Sequence, residues 1–129
     1  MSGAEFEDEA SWLVAGYCEA AVQWDDLQSP EAMATKGNAK RANTVFRANR
    51  ALYKRLRASE AGRTGISRLM HHPVVGVRLL AATDSLAWKP DEAIAVLEDI
   101  QRDPASYLHA VSAKYTLRAH RAGTLDMDC

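Results

Sequence analysis

Apolar residues recur at helical spacing along most of the chain. Between Phe6 and Leu27 they fall three or four residues apart, which predicts one amphipathic helix of about six turns. A second long helix is predicted from about Asn38 to Ala58, and four shorter helical stripes follow. No segment shows the two-residue alternation of a half-buried strand. The pattern therefore predicts an all-α protein.

The later part of the chain contains an internal repeat, which a shift of 31 residues reveals. Residues 59–88 and 90–122 are its two clearer copies, and each is predicted to be a pair of helices. The shift superposes Pro73 on Pro104, Ile66 on Leu97, Leu69 on Ile100, Val77 on Leu108, Ala82 on Ala113 and Leu86 on Leu117. A degenerate first hairpin precedes them, since the same shift puts Arg55 where Leu86 stands. A helix pair in every period is typical of an α-solenoid.

One such helix pair cannot bury its apolar stripes alone, so the repeats are expected to stack. We predict that residues 1–129 form a single all-α domain, a right-handed α–α superhelix of about three helical hairpins. In the last helix, the residues expected to lie inward or nearly so are Leu108, Val111, Ala113, Tyr115 and Leu117. Each of the four prolines is expected in the first turn of a helix, where the missing N–H removes no hydrogen bond.

The repeats also contain recognisable packing motifs. They are Val77-Arg78-Leu79-Leu80-Ala81-Ala82, Pro90-Asp91-Glu92-Ala93, Val96-Leu97-Glu98-Asp99-Ile100, Ala113-Lys114-Tyr115-Thr116-Leu117 and Gly123-Thr124-Leu125. With these motifs the chain resembles a family of small bacterial HEAT-like proteins that is classed as a domain of unknown function. The resemblance covers roughly residues 37–125 and implies a HEAT-like superhelix. It implies no activity, because the family has no agreed catalytic residues.

Charge is segregated along a chain whose formal net charge is only −1. The first 35 residues contain eight acidic residues and no lysine or arginine. Residues 36–68 contain ten basic residues and one acidic residue, Glu60. On the predicted helix over 38–58 the polar face is wholly basic, and its members are Lys40, Arg41, Arg47, Arg50, Lys54, Arg55 and Arg57.

Three interpretations of this basic polar face remain open. In the first, the acidic helix lies antiparallel to it and neutralises part of it, with about 0–1 kcal/mol for each exposed pair. In the second, one of the charged faces meets a partner protein of opposite charge, with electrostatic steering. In the third, the basic residues contact nucleic-acid phosphates. The near-neutral overall charge and the lack of aromatic residues interleaved with the bases on this polar face disfavour the third.

Motifs for catalysis, metal binding or cofactor binding are absent from the sequence. Gly62 and Gly65 are not followed by the Lys-Ser/Thr pair of a phosphate-binding loop, and no nucleophile elbow or Cys/His ligand cluster occurs. The adjacent His71 and His72 would point about 100° apart on a helix, so they are poorly placed to share an ion. We therefore expect a protein that is not an enzyme and that binds no metal and no cofactor.

Cysteine usage and hydropathy favour a cytoplasmic location. Cys18 is expected to be a packing thiol and Cys129 a terminal free thiol, because the chain lacks a disulfide framework. No run of about 18 apolar residues occurs, and the acidic start lacks the pattern of a secretion signal.

These observations together predict a non-catalytic protein–protein interaction module, such as a toxin-neutralising (immunity) protein or an adaptor. The residues expected to contact a partner are Lys40, Arg47, Arg50, Lys54 and Arg57, together with Trp12, a large anchor off the core stripe of the first helix. The alternative is a nucleic-acid-binding HEAT-like module that uses Arg47, Arg50, Lys54 and Arg57.

Overall fold

A computed structural model describes residues 3–127 of the chain, with side chains described from Glu9 onward. This described part consists of seven α-helices, two 3-10 turns and short connections, with no β-strand. The predicted all-α class is therefore confirmed. The helices are α1 (Gly3–Asp26), α2 (Pro30–Ala34), α3 (Asn38–Leu56), α4 (Glu60–Arg68), α5 (Val75–Ser85), α6 (Pro90–Arg102) and α7 (Leu108–Ala122). The 3-10 turns are Leu69–His71 and Pro104–Ser106.

The chain divides into two compact units, residues 1–66 and residues 67–129. The first unit is built chiefly on the contact between α1 and α3, and α2 packs against α3. Both long helices bury one stripe, as their apolar spacing predicts. The buried apolar residues of this unit are Tyr17, Ala20, Ala21, Tyr53, Leu56 and Ile66.

Helices α1 and α3 run antiparallel. Near the start of α1, the carboxylate of Glu9 lies 3.4 Å from the guanidinium of Arg55, which is close to the end of α3. Towards the opposite ends, the ring centroids of Trp24 and Phe46 are 5.9 Å apart. The acidic helix therefore lies beside the basic one, with their directions opposed, as the first interpretation of the charge pattern predicted.

The second unit is built from α5, α6 and α7. Helix α6 packs against both α5 and α7, and α5 also contacts the 3-10 turn Leu69–His71. Ala81 and Ala82 on α5 are completely buried, and such small residues allow neighbouring helices to approach closely. The other buried apolar residues are Met70, Val77, Leu79, Leu80, Leu86, Ala93, Leu97, Ile100, Ala113 and Leu117.

Several helix boundaries follow local capping signals. The hydroxyl of Ser29 accepts a hydrogen bond from the backbone N–H of Ala32 at 3.1 Å, which caps α2. Gly123 ends α7 with φ 72°, a left-handed conformation that glycine adopts without steric cost.

The prediction that every proline begins an α-helix was wrong for two of them. Pro30 and Pro90 are the first residues of α2 and α6. Pro73, however, precedes α5 by two residues, and Pro104 opens a 3-10 turn rather than α7.

Side-chain hydrogen bonds hold these two proline segments in non-helical conformations. The Nη1 atom of Arg78 donates to the carbonyl oxygens of His72 and Pro73 at 2.8 and 2.9 Å. The carboxylate of Asp103 accepts from the backbone N–H of Ala105 at 2.9 Å, within the turn that Pro104 opens. Tertiary and capping contacts thus delay the start of both α5 and α7.

Of the five residues of α7 that were expected to lie inward, Ala113 and Leu117 are buried as predicted, whereas the expectation is wrong for the other three. Leu108, Val111 and Tyr115 are 45%, 49% and 57% exposed. The helix instead buries a stripe that consists of His109, Ala113 and Leu117. Because α7 carries apolar residues on two different sides, its sequence did not reveal which side would meet the core.

Candidate functional site

The most distinctive polar surface of the first unit is the side of α3 that points away from its core. Asn49, Tyr53 and Leu56 are the buried residues of this helix. Lys40, Arg47 and Lys54 are exposed and recur every seven residues, which places them on one side at intervals of about 10 Å. Arg50 and Arg57 are half-buried and form a neighbouring row with the same spacing. We call these five residues the basic face: Lys40, Arg47, Arg50, Lys54 and Arg57.

The two half-buried arginines of the basic face are held by aromatic rings. The guanidinium carbon of Arg50 lies 4.8 Å from the ring centroid of Tyr53 and 5.4 Å from that of Phe46. Arg57 lies 5.2 Å from the same Tyr53 ring. Such cation–π contacts, together with the planarity of guanidinium, reduce the freedom of both side chains.

A hydrogen bond further restricts Arg50. Its Nε and Nη2 atoms donate to the side-chain oxygen of Asn49 at 3.1 and 2.6 Å. Asn49 is itself completely buried and donates to the backbone carbonyl of Tyr17 on α1 at 3.0 Å. The position of Arg50 is therefore set by a residue that joins the two long helices.

Within the described side chains, α3 forms an ion pair on its flank, at Arg55, and none at Lys40, Arg47 or Lys54. We call these three residues the outer row of the basic face. Arg55 and Glu9 form an ion pair at 3.4 Å in which both side chains are 61% exposed, so the pair contributes about 0–1 kcal/mol. Among the side chains of residues 9–127, no acidic group forms an ion pair with Lys40, Arg47 or Lys54. This row is therefore available to an external partner.

The structure separates Trp12 from the basic face. Trp12 lies on α1 and is 83% exposed. It is one turn from Gly16, whose position faces the Leu52 side chain of α3. Because the basic face points away from α1, the six residues predicted to contact a partner do not form one continuous patch. Trp24 and Trp88, by contrast, are half-buried.

The histidines of the second unit have structural partners. The Nε2 atom of His71 lies 2.8 Å from a carboxylate oxygen of Glu92. His72 accepts a hydrogen bond from the backbone N–H of Val74 at 3.0 Å through its Nδ1 atom. Across residues 9–127, no three His, Cys, Asp or Glu side chains are grouped in a way that could hold a metal ion.

A small polar cluster joins the end of α4 to the end of α5. The hydroxyls of Ser67 and Ser85 are 2.9 Å apart, and the indole N–H of Trp88 donates to Ser67 at 2.8 Å. Asp84 is 1% exposed, and within the described side chains every buried nitrogen or oxygen has a hydrogen-bond partner. The cluster is fully satisfied, which is typical of a structural network.

Cys18 is partly buried within α1, and burial raises the pKa of its thiol. A raised pKa lowers the fraction of reactive thiolate, as expected of a packing residue. Cys129 lies outside the described residues. In the described part of the chain, no helix is both long enough and apolar enough to cross a membrane.

A shallow, largely apolar cleft of about 340 Å³ lies at one end of the α1–α3 pair. The ion pair between Glu9 and Arg55 stands among its lining residues. The others are Ala10, Leu13, Leu56, Ser59 and Ala61. The lining offers few polar groups that could orient a substrate.

The exposed apolar side of α7 was not expected from the sequence, which predicted that its residues would lie inward. Leu108, Val111 and Tyr115 follow the i, i+3, i+7 spacing of a single stripe. Ala113 and Leu117 follow a second stripe on the opposite side. Two apolar stripes on one helix are the signal that could have indicated a second contact surface.

Comparison with known protein families finds a domain of unknown function, DUF2019, over residues 13–120. The chain belongs to the DUF2019 family. The DUF2019 region begins in α1 and ends in α7, so it contains the whole basic face, whereas Trp12 lies immediately before it. Comparisons with curated proteins and with solved structures found no match.

Proposed function

We propose that this DUF2019 protein is a non-catalytic module that binds a partner protein with an acidic surface. The main support for the proposal is the outer row of the basic face, Lys40, Arg47 and Lys54, with which no acidic side chain of residues 9–127 forms an ion pair. Beside this row, Arg50 and Arg57 are held against Tyr53. These two side chains are therefore already partly ordered, and they lose less conformational entropy when a partner binds. Complementary charge of this kind raises association rates and selects partners.

The geometry favours a protein over a nucleic acid as the partner. The aromatic rings near the basic face lie under the arginines, and Tyr53 is only 1% exposed, so these rings are not free to stack on bases. The net charge of −1 is also unlike that of a strongly basic nucleic-acid-binding domain. Arg47, Arg50, Lys54 and Arg57 nevertheless share one side of α3, which keeps phosphate binding as the second candidate.

The proposal includes a HEAT-like architecture, with the helix pairs of 59–88 and 90–122 as repeats of a right-handed superhelix. At the majority of the superposed core positions, both residues of the pair are buried, which supports the repeat. Ile66 and Leu97 are both completely buried, and so are Ala82 and Ala113. The pair Val77 and Leu108 departs from the repeat, because only Val77 is buried. An experimental structure would test the superhelix directly.

The proposal also extends to biological context. A cytoplasmic bacterial adaptor or a toxin-neutralising protein would suit the polarised charge, since both depend on fast, selective capture of one partner. A genomic neighbour that encodes a toxin would support the second role. A neighbour that processes DNA would favour the nucleic-acid candidate.

Paired charge reversals on α3 and elsewhere test the proposed function. The double variant R47E/K54E removes two members of the basic face. The matched control R41E/R68E makes the same charge change at two exposed arginines outside it. Each tagged protein is used to capture partners from a lysate of the source organism at about 50 mM and 300 mM salt, and captured proteins are quantified by mass spectrometry.

We expect an acidic protein that wild type and R41E/R68E retain and that R47E/K54E loses at least tenfold, with weaker capture at the higher salt. Equal capture by both double variants, or no retained protein at about 50 mM salt, would overturn the proposal. Fluorescence anisotropy with a short DNA duplex separates the second candidate. Binding that falls steeply with salt and is lost in R47E/K54E would favour that candidate instead.

A further inference from the structure

The exposed side of α7 is an apolar stripe without a partner in the second unit. Leu108, Val111 and Tyr115 lie about one and two turns apart and are each close to half exposed. Tyr107, immediately before the helix, is 77% exposed. Single exposed apolar residues are common, but a contiguous set on one helix side is typical of an interaction surface. We call these four residues the α7 stripe: Tyr107, Leu108, Val111 and Tyr115.

Basic residues border the α7 stripe. Helix α7 contains no acidic residue, and Lys114 and Arg118 are exposed on it. The guanidinium carbon of Arg118 lies 5.6 Å from the ring centroid of Tyr115, so a positive charge stands directly on the stripe. Two α7 helices placed face to face would bring like charges together, which disfavours a symmetric α7–α7 dimer. The occupant of the stripe should therefore be apolar and acidic.

The exposed side of α1 has this complementary chemistry. Its 24 residues contain no lysine or arginine. Trp12 is 83% exposed, and the exposed Glu19 lies two helical turns further along the same side. An exposed tryptophan with Glu19 two turns away can supply an aromatic anchor to the α7 stripe and a carboxylate to its basic border.

We propose that α1 of one copy of this protein binds the α7 stripe of a second copy. The contact joins two different surfaces, so in a dimer one copy keeps a free α7 stripe and the other keeps a free α1, and further copies can add as concentration rises. One helix against another buries a small area, which places the interaction in the weak, transient class. The contact uses different residues from the basic face and is independent of the partner proposed above.

The test is sedimentation velocity from micromolar to submillimolar concentrations on wild type and two single variants. W12A removes the anchor on α1, and Y115A removes the centre of the α7 stripe. Both residues are exposed, so circular dichroism and thermal unfolding should match wild type. M33A is the matched control, because Met33 is 52% exposed but lies on neither surface.

We expect wild type and M33A to associate with rising concentration, and association to weaken at high salt. W12A and Y115A should each associate at least tenfold more weakly. An equimolar mixture of W12A and Y115A should form heterodimers, because one variant supplies an intact stripe and the other an intact α1. These heterodimers should not grow further, since the remaining surfaces are defective.

Three results would overturn the proposal. Wild type that stays monomeric throughout the concentration range excludes self-association. If Y115A loses association while W12A associates as wild type does, the α7 stripe has an occupant other than α1. Failure of the two variants to associate when mixed excludes the head-to-tail arrangement.

Discussion

The side-chain amide of Asn49 donates a hydrogen bond to the backbone carbonyl of Tyr17 at 3.0 Å, and both residues are completely buried. The bond joins α3 to α1 near the middle of each helix. The oxygen of the same amide accepts from Arg50, so one buried residue serves both the core and the basic face. Stability and candidate function are therefore coupled at Asn49.

Replacing Asn49 by alanine should destabilise the first unit by about 1–3 kcal/mol, because a buried hydrogen-bonding group is removed and a cavity is left. Urea denaturation followed by circular dichroism measures the change. Asn43→Ala is the control, since Asn43 is exposed on the same helix and should change stability by about 0.5 kcal/mol or less. Equal unfolding midpoints for the two variants would contradict the role given to Asn49.

Gly62→Ala should destabilise the protein by about 2–3 kcal/mol, because a Cβ atom at this position would overlap the backbone carbonyl of Leu56. The carbonyl belongs to the last residue of α3, so relief requires movement of the main chain. Gly16→Ala is the comparison. A Cβ there would lie 3.2 Å from a terminal methyl group of Leu52, which can shift, and alanine favours the helix by about 0.5–1 kcal/mol. The thermal unfolding midpoint of Gly62→Ala should be well below that of Gly16→Ala. The reverse order would refute the steric explanation.

Tyr107→Gly should be more stable than Tyr107→Ala by about 1 kcal/mol. Tyr107 has φ 47° and ψ −117°, which is unfavourable for any residue that has a Cβ atom. Both variants lose the exposed ring, so their difference isolates the backbone strain. Chemical denaturation of the pair measures it. If alanine proves equal or better, the strain at this position is absent in solution.

Glu92 should contribute to stability in a pH-dependent way. Hydrogen bonds from Lys89 and then from His71 hold the pKa of Glu92 below its ordinary value of 4.5. The unfolded chain therefore binds the proton more readily, so the contribution is complete above about pH 4.5 and is lost as the pH falls through the lower folded pKa.

Comparison of wild type with Glu92→Gln in urea at pH 7, 5 and 3 tests this expectation. The stability gap should be present at pH 7 and at pH 5 and should narrow at pH 3. Asp91→Asn is the control, because it removes an exposed carboxylate from the same first turn of α6. A gap that persists unchanged at pH 3, or one that Asp91→Asn reproduces, would assign the effect to helix-end charge alone.

The pattern of α3 predicted most of what the structure shows for that helix. Its apolar positions and its basic positions lie on opposite sides, and Tyr53 and Leu56 are buried while Arg47 and Lys54 are exposed. This agreement has a local cause. When a helix has one apolar side, its own periodicity decides which residues meet the core. The all-helical class follows from the same kind of reasoning, whereas the antiparallel packing of the acidic and basic helices was one of three interpretations that the sequence left open.

In helix α7, periodicity alone does not identify the buried side. The chain offers two apolar stripes there, one with Ala113 and Leu117 and one with Val111 and Tyr115. Local geometry treats both alike, so only packing against α5 and α6 could select between them. The separation of Trp12 from the basic face could not be predicted for the same reason, since it depends on which side of α1 packs against α3.

The amino-acid sequence by itself determined the helices, the segregation of charge and the membership of the DUF2019 family, because these depend on spacing and composition. The tertiary structure decided which stripe of α7 is buried, that Asn49 of α3 is hydrogen-bonded to Tyr17 of α1, and that Trp12 is separate from the basic face. These features depend on contacts between residues far apart in the chain, and helical periodicity carries no information about such contacts.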